Sequence, residues 1–286
     1  MYFLSVGSGD YVRANPPSHG FNDLDGADAS AQRIAALLAK NGATFGVLLQ
    51  SEPEHFVTRD DVISGVHYVV ERIRTDRALR PLFVFYWMGH GVSEGLGWNH
   101  YAIPGNFTYR RDQDLEVDNL SKNAIYDGAV TDILDKSGSA YVMILDTCTS
   151  GKAEQSASGI LSREAAANAN DVSNVIRNLN EFHQANPVIF SARPGTDVAP
   201  APDPRDDTVL IGPLARRATI LIDKQSRPNI SLETFVRTLS SQTFDSETSA
   251  GVTFAESDAS SAQLMFFSRR ETAEITKRTG TGKSAH

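Results

Sequence analysis

Leu82-Phe83-Val84-Phe85-Tyr86-Trp87 opens the longest apolar run in the chain, which ends in Met88-Gly89-His90-Gly91. Side chains that are apolar without alternation mark a strand buried on both faces, and a strand of that kind belongs to a parallel sheet covered by helices on each side. A second run of the same character, Tyr141-Val142-Met143-Ile144-Leu145, ends in Asp146-Thr147-Cys148-Thr149-Ser150-Gly151.

Outward from these two runs, strand and helix patterns alternate. Tyr2 to Val6 is a strand, and Asp23 to Ala29 then supplies helix-start residues before Ile34, Leu37 and Leu38, with Asn41-Gly42 as the stop. Phe45 to Leu49 is the next strand. Thr58-Arg59-Asp60-Asp61 reads as a capping box, followed by Val62, Val66, Val69, Val70 and Ile73 at helical spacing. A polar excursion over 93–121 precedes a helix around Ala124 to Leu134. Pro187 to Phe190 is a fifth strand, and 194–208 reads as a Pro/Asp loop. Helices follow near 210–222 and 231–241, then a sixth strand, Gln263 to Phe267. Such alternation predicts a mostly parallel six-stranded sheet with helices on both faces, whose ligands bind beyond the carboxyl ends of the strands.

The chain has 286 residues, 41% hydrophobic and 22% charged, which is ordinary globular composition. Its formal net charge of −8 and lack of Lys/Arg clusters argue against a nucleic-acid or anionic-membrane surface. No apolar run reaches bilayer length, and Met1 to Asp10 lacks the basic flank of a signal peptide. Cys148 is the single cysteine, so no intrachain disulfide or Cys-based zinc site can form, and a reducing, cytoplasmic setting is expected.

The two strand ends carry the chemistry. His90, between glycines, and Cys148 both sit just past buried strands, where side chains can converge. A free thiol ionises at about 8.5, so an adjacent imidazole is needed to raise its reactivity and later to protonate a leaving amine. An oxyanion would be met by backbone N–H groups, for which Gly91 and Cys148 are the natural donors.

A His-Gly pair after one core strand and a Cys after the next, 58 residues on, resemble the caspase-like cysteine peptidases. Asp146-Thr147-Cys148-Thr149-Ser150-Gly151 is similar to the Asp-x-Cys-x-Ser-Gly motif of the metacaspase and bacterial branch. Asp25-Gly26-Ala27-Asp28-Ala29 resembles that family's entry to the first helix, and Phe190-Ser191-Ala192-Arg193-Pro194-Gly195 the strand and turn opening its smaller catalytic portion. The resemblance implies a three-layer caspase-like α/β sandwich as one domain over 1–270. It would comprise a large portion (1–150), a linker (151–186) and a small portion (187–270), followed by a flexible tail (271–286). It implies a Cys148–His90 dyad acting without cofactor or metal. It also implies cleavage of protein substrates after Arg or Lys, with Asp146 lining the first specificity pocket and Asp28 as a second acidic wall, or Ser30 in that family position. Met88 departs from the small residue common at its place. Family members are commonly cut in the linker, which here holds Lys152, Arg163 and Arg177, so activation by this or an upstream protease is expected.

Three other readings stand beside this one. The chain could be a caspase-like module that only binds partners, or a cysteine hydrolase of a non-peptide amide. Gly91-Val92-Ser93-Glu94-Gly95 also matches the nucleophile elbow of serine hydrolases, but that motif needs a helix straight after the serine, and Leu96-Gly97-Trp98 is loop-like. His67, His100 and His183 lack metal-ligand spacing, and Arg216-Arg217 reads as a solvated helix face.

Overall fold

In a computed structural model all seven side chains of Leu82–Met88 are buried, as the unbroken apolar run requires. The structure describes residues 1–11, 21–52, 55–79, 81–94, 99–107, 120, 122–147, 188–190, 200–224, 253–255 and 274–278. Its first elements are β1 (Tyr2–Gly7), α1 (Ala27–Lys40), β2 (Phe45–Leu49), α2 (Arg59–Thr75) and β3 (Leu82–Met88). A small sheet of β4 (Gly91–Glu94), β5 (Asn99–Ala102) and β6 (Ile125–Tyr126) comes next, then α3 (Asp127–Ser137) and β7 (Ala140–Asp146). The later elements are β8 (Val188–Phe190), β9 (Ala201–Asp203), β10 (Asp206–Ile211), α4 (Pro213–Lys224), β11 (Thr253–Ala255) and β12 (Glu274–Arg278).

The main sheet runs β11-β8-β7-β3-β1-β2-β12. All its neighbours are parallel except β11, which is antiparallel to β8. Among the described residues it therefore has seven strands rather than the expected six. The strand expected at Gln263 to Phe267 and the helix at 231–241 lie outside the described residues. β12 falls in the stretch read as a tail.

Each central strand alternates between two cores. On β3, Leu82, Val84, Tyr86 and Met88 join Ile34, Leu38, Leu214 and Ala218 of α1 and α4. Phe83, Phe85 and Trp87 face Val66, Val70, Val130 and Leu134 of α2 and α3. Among the described residues two helices on each face give three layers. A third cluster, Tyr11, Phe21, Val92, Tyr101, Ile103 and Phe107, lies beneath the small sheet.

The helix ends obey local chemistry. The Thr58 hydroxyl accepts from the Asp61 N–H at 3.1 Å, and the Asp61 carboxylate accepts from the Thr58 N–H at 3.1 Å, completing the capping box. α1 starts after Gly26, whose φ of 81° lies in the left-handed region and whose missing Cβ leaves room for the Leu210 carbonyl. Two hairpins went unread in the sequence, β4–β5 in the polar excursion and β9–β10 in the Pro/Asp loop. Arg217 corrects the expectation of a solvated helix face, since it is buried while Arg216 bonds the Pro202 carbonyl from the surface. α4 packs on α1, so a helix read as half-solvated has less free surface than its sequence pattern implies. No helix among the described residues is long and apolar enough to cross a membrane.

Gly46 on β2 lies under the ring of Phe3, its neighbour on β1. A Cβ there would collide with that ring, so Gly46→Ala should destabilise the protein by about 1–3 kcal/mol, read as a lowered Tm in thermal unfolding.

Candidate active site

The sheet register sets the site. Gly7 of β1, Met88 of β3 and Asp146 of β7 occupy one row across three adjacent strands, so the three chains leave the sheet level with one another. Ser8 is tied to this row by its N–H, which donates to the Met88 carbonyl at 2.8 Å. His90 lies two residues past Met88. Cys148 lies two residues past Asp146 and outside the described residues; the last residue described before it, Thr147, is buried.

His90 is held from several sides. Its backbone N–H donates to the Tyr11 hydroxyl at 3.0 Å, and its carbonyl accepts from the Ile103 N–H at 2.9 Å. Its Nε2 lies 2.8 Å from the Asn22 carbonyl oxygen. A carbonyl only accepts, so in the neutral ring Nε2 carries the proton and Nδ1 keeps the lone pair. The Tyr11 ring meets the imidazole edge-on at 4.7 Å between centroids, and Phe21 lies 5.0 Å away. Burial among these rings lowers the His90 pKa from the usual 6.5, against smaller upward pulls from the Asn22 carbonyl and the Asp23 charge. A base that is neutral at physiological pH, with a defined free nitrogen, can take a proton from a thiol.

Gly91, expected as an oxyanion donor, opens β4 and is buried opposite Ala102 of β5. Asp28 lies in the first turn of α1, partly buried, and accepts from the Ser51 N–H at 3.1 Å. Its charge is felt at Tyr11, and so beside His90. Ser30 is buried, donates to the Gly26 carbonyl, accepts from the Gly212 N–H at 2.8 Å and adjoins Tyr86, which puts it beside Asp146.

Asp146, expected to line the first specificity pocket, is fully enclosed. Its Oδ2 accepts from the Tyr86 hydroxyl at 3.0 Å and from the Leu214 and Ala215 N–H groups at 3.1 Å each. The carboxylate thus caps the N-terminus of α4, where free N–H groups and the helix dipole favour an anion. It also presses the Tyr86 pKa upward, second to the effect of burial. Gly212 makes the approach possible, since a Cβ there would run into this carboxylate.

Ser93 lies within β4, opposite His100 of β5. It is in a hairpin, not on a strand-to-helix turn, which removes the geometric basis of the serine-hydrolase reading. His100 is buried and its Nδ1 bonds the Asp127 carboxylate at 2.8 Å, joining the small sheet to α3. No cluster of metal-ligating side chains occurs among the described residues. Sequence reading missed Tyr11, Phe21, Asn22 and Asp23, all from the segment between β1 and α1. Asn22 acts through its main-chain carbonyl, which no residue type announces.

No protein-family model and no curated protein matches this chain. Among solved structures, protein GSU0716 from Geobacter sulfurreducens is similar at a TM-score of 0.51 and 15% identity, over 95% of this chain and 99% of that one. That likeness concerns the fold alone. Caspase-1 from Spodoptera frugiperda aligns at a TM-score of 0.49 and 10% identity, over 94% of this chain and 89% of that one.

Because the folded state lowers the His90 pKa, the unfolded chain binds a proton first as pH falls through about 6.5. Stability should therefore drop from pH 7.5 toward the folded-state pKa and level off below it. Urea unfolding across that range checks this, with the pH slope reduced in His90→Ala.

Proposed function

We propose that this chain is a cysteine endopeptidase of the caspase type, with Cys148 as nucleophile and His90 as general base and acid. The observation that carries this reading is the register of Met88 beside Asp146. It brings the leads to His90 and Cys148 off adjacent strands at the same level, a strand spacing of about 4.8 Å apart.

The reaction follows from these groups. The free Nδ1 of His90 takes the Cys148 thiol proton, and the sulfur adds to the scissile carbonyl carbon. Negative charge develops on the carbonyl oxygen, for which the N–H groups of Gly91 and Cys148 are the donors. Collapse breaks the C–N bond, His90 delivers its proton to the leaving amine, and a thioester remains. Water, deprotonated by His90, then hydrolyses the thioester and restores the thiol.

The preference is for Arg or Lys before the cleaved bond. We assign the meeting of such a residue to Asp28, whose charge is felt at Tyr11 beside His90. Asp146 contributes from a buried position, behind the end of β7. Cleavage of the 151–186 linker at Arg163 or Arg177 activates the chain. If a variant lacking both arginines activates as the wild type does, those sites are not the switch.

Fluorogenic peptides ending in Arg, Lys or Asp, tested before and after limited proteolysis, should be cleaved after Arg and Lys. Cys148→Ala should lower the rate by about a thousandfold or more. Cleavage after Asp would retain the dyad and overturn the basic preference. Silence under every condition would favour a non-catalytic caspase-like module.

A further inference from the structure

The segment that packs against His90 hydrogen-bonds to it twice, and the two bonds are linked. The His90 N–H donates to the Tyr11 hydroxyl at 3.0 Å, and the Tyr11 N–H donates to the Asp23 carboxylate at 2.7 Å. Asp23 is peptide-bonded to Asn22, whose carbonyl accepts from His90 Nε2 at 2.8 Å. The path leaves His90 through its backbone and returns through its ring, so it closes on itself. The Tyr11 hydroxyl also donates to the Ile103 carbonyl at 2.8 Å, while the Ile103 N–H donates to the His90 carbonyl at 2.9 Å. Gly9 and Leu24 pair at the base of the same segment through a 2.8 Å backbone bond.

We propose that Tyr11 and Asp23 are positioning residues for the base: this closed ring fixes the backbone and the imidazole of His90 relative to each other. The proposal rests on the reading of His90 as general base. Tyr11 is fully buried, so its hydroxyl is sheltered from competing water. Without the ring, the imidazole would keep the Asn22 contact only as well as residues 21–23 held their own place. Misplacement by about 1 Å at a reacting group lowers rates by about a hundredfold, so a ring that removes fractions of an ångström of freedom is felt in kcat.

The test compares the full chain with Tyr11→Phe, Asp23→Ala, Asp23→Asn and the Tyr11→Phe/Asp23→Ala double variant. Asn keeps an oxygen that accepts the Tyr11 N–H but carries no charge. Hydrogen exchange at the His90 amide is read in a Cys148→Ala background, so it needs no activity. The ring predicts that Asp23→Ala speeds that exchange by about tenfold although Asp23 does not touch the amide, and that Asp23→Asn restores protection. In the active chain kcat should fall about tenfold in Tyr11→Phe and in Asp23→Ala, with KM within twofold, and the double variant should lose less than the product of the two. Unchanged His90 exchange in Asp23→Ala, independent losses, or an Asp23→Asn variant as impaired as Asp23→Ala would overturn the ring. His90→Ala separates the two levels. An active His90→Ala chain removes the general base itself, whereas an inactive one beside unimpaired ring variants removes the ring alone.

Discussion

Burial of β3 on both faces is the constraint from which the rest follows. A strand whose seven side chains are all buried must have neighbours on both edges and helices above and below, or its backbone polar groups would be stranded. β1 and β7 supply the edges, and their pairing in register with β3 brings three strand ends to the same height. The crevice beyond those ends is where open α/β sheets place their chemistry. His90 is there because Met88 is the last residue that the sheet can hold.

What surrounds His90 is largely main chain. Its N–H, its carbonyl and its ring nitrogen are bonded to the Tyr11 hydroxyl, the Ile103 N–H and the Asn22 carbonyl respectively. Aromatic rings exclude water from two sides of the imidazole, which keeps it neutral and strengthens each of these bonds. On β7 the logic differs. Asp146 carries a charge at the end of a buried strand, and a helix N-terminus with a buried tyrosine hydroxyl accommodates it. Helix α4, met only after residue 212, is thereby fastened to the strand that leads into Cys148.

The centre of the sheet was legible because burial writes itself into residue type, whereas its edge strands β11 and β12 were not read. Phe45–Leu49 was read with both bounds correct, and β1, β3 and β7 to within about a residue at each end, since long apolar runs leave few alternatives. The capping box at Thr58 was legible for the same local reason. The hairpins were not, because β4–β5 and β9–β10 are short and carry mixed residues whose pairing is set by distant packing. Of the site, His90 could be found from its glycines and its strand. Asn22 could not, because any residue has a carbonyl. The position of Asp146 could not be read either: only the arrival of α4, 68 residues later, decides whether that carboxylate faces substrate or a helix end. Arg217 is another such case, a charged residue taken into the interior by the packing of α4.

The lengths of chain between partners also set an order of assembly. Among the described residues, the groups that hold His90, from Tyr11 through Asn22 to Ile103, are encoded within the first 103 residues. Asp146 bonds the Tyr86 hydroxyl from the early part of the chain, but the N–H groups of the helix it caps come from Leu214 and Ala215. Domains are synthesised from the amino end and long loops close late. A chain still on the ribosome can therefore complete the cradle of His90 well before the helix that secures β7 has been made. His90 and Cys148 are separated in time of synthesis as well as in sequence, and a truncated chain carries the surroundings of the first without the anchor of the strand before the second.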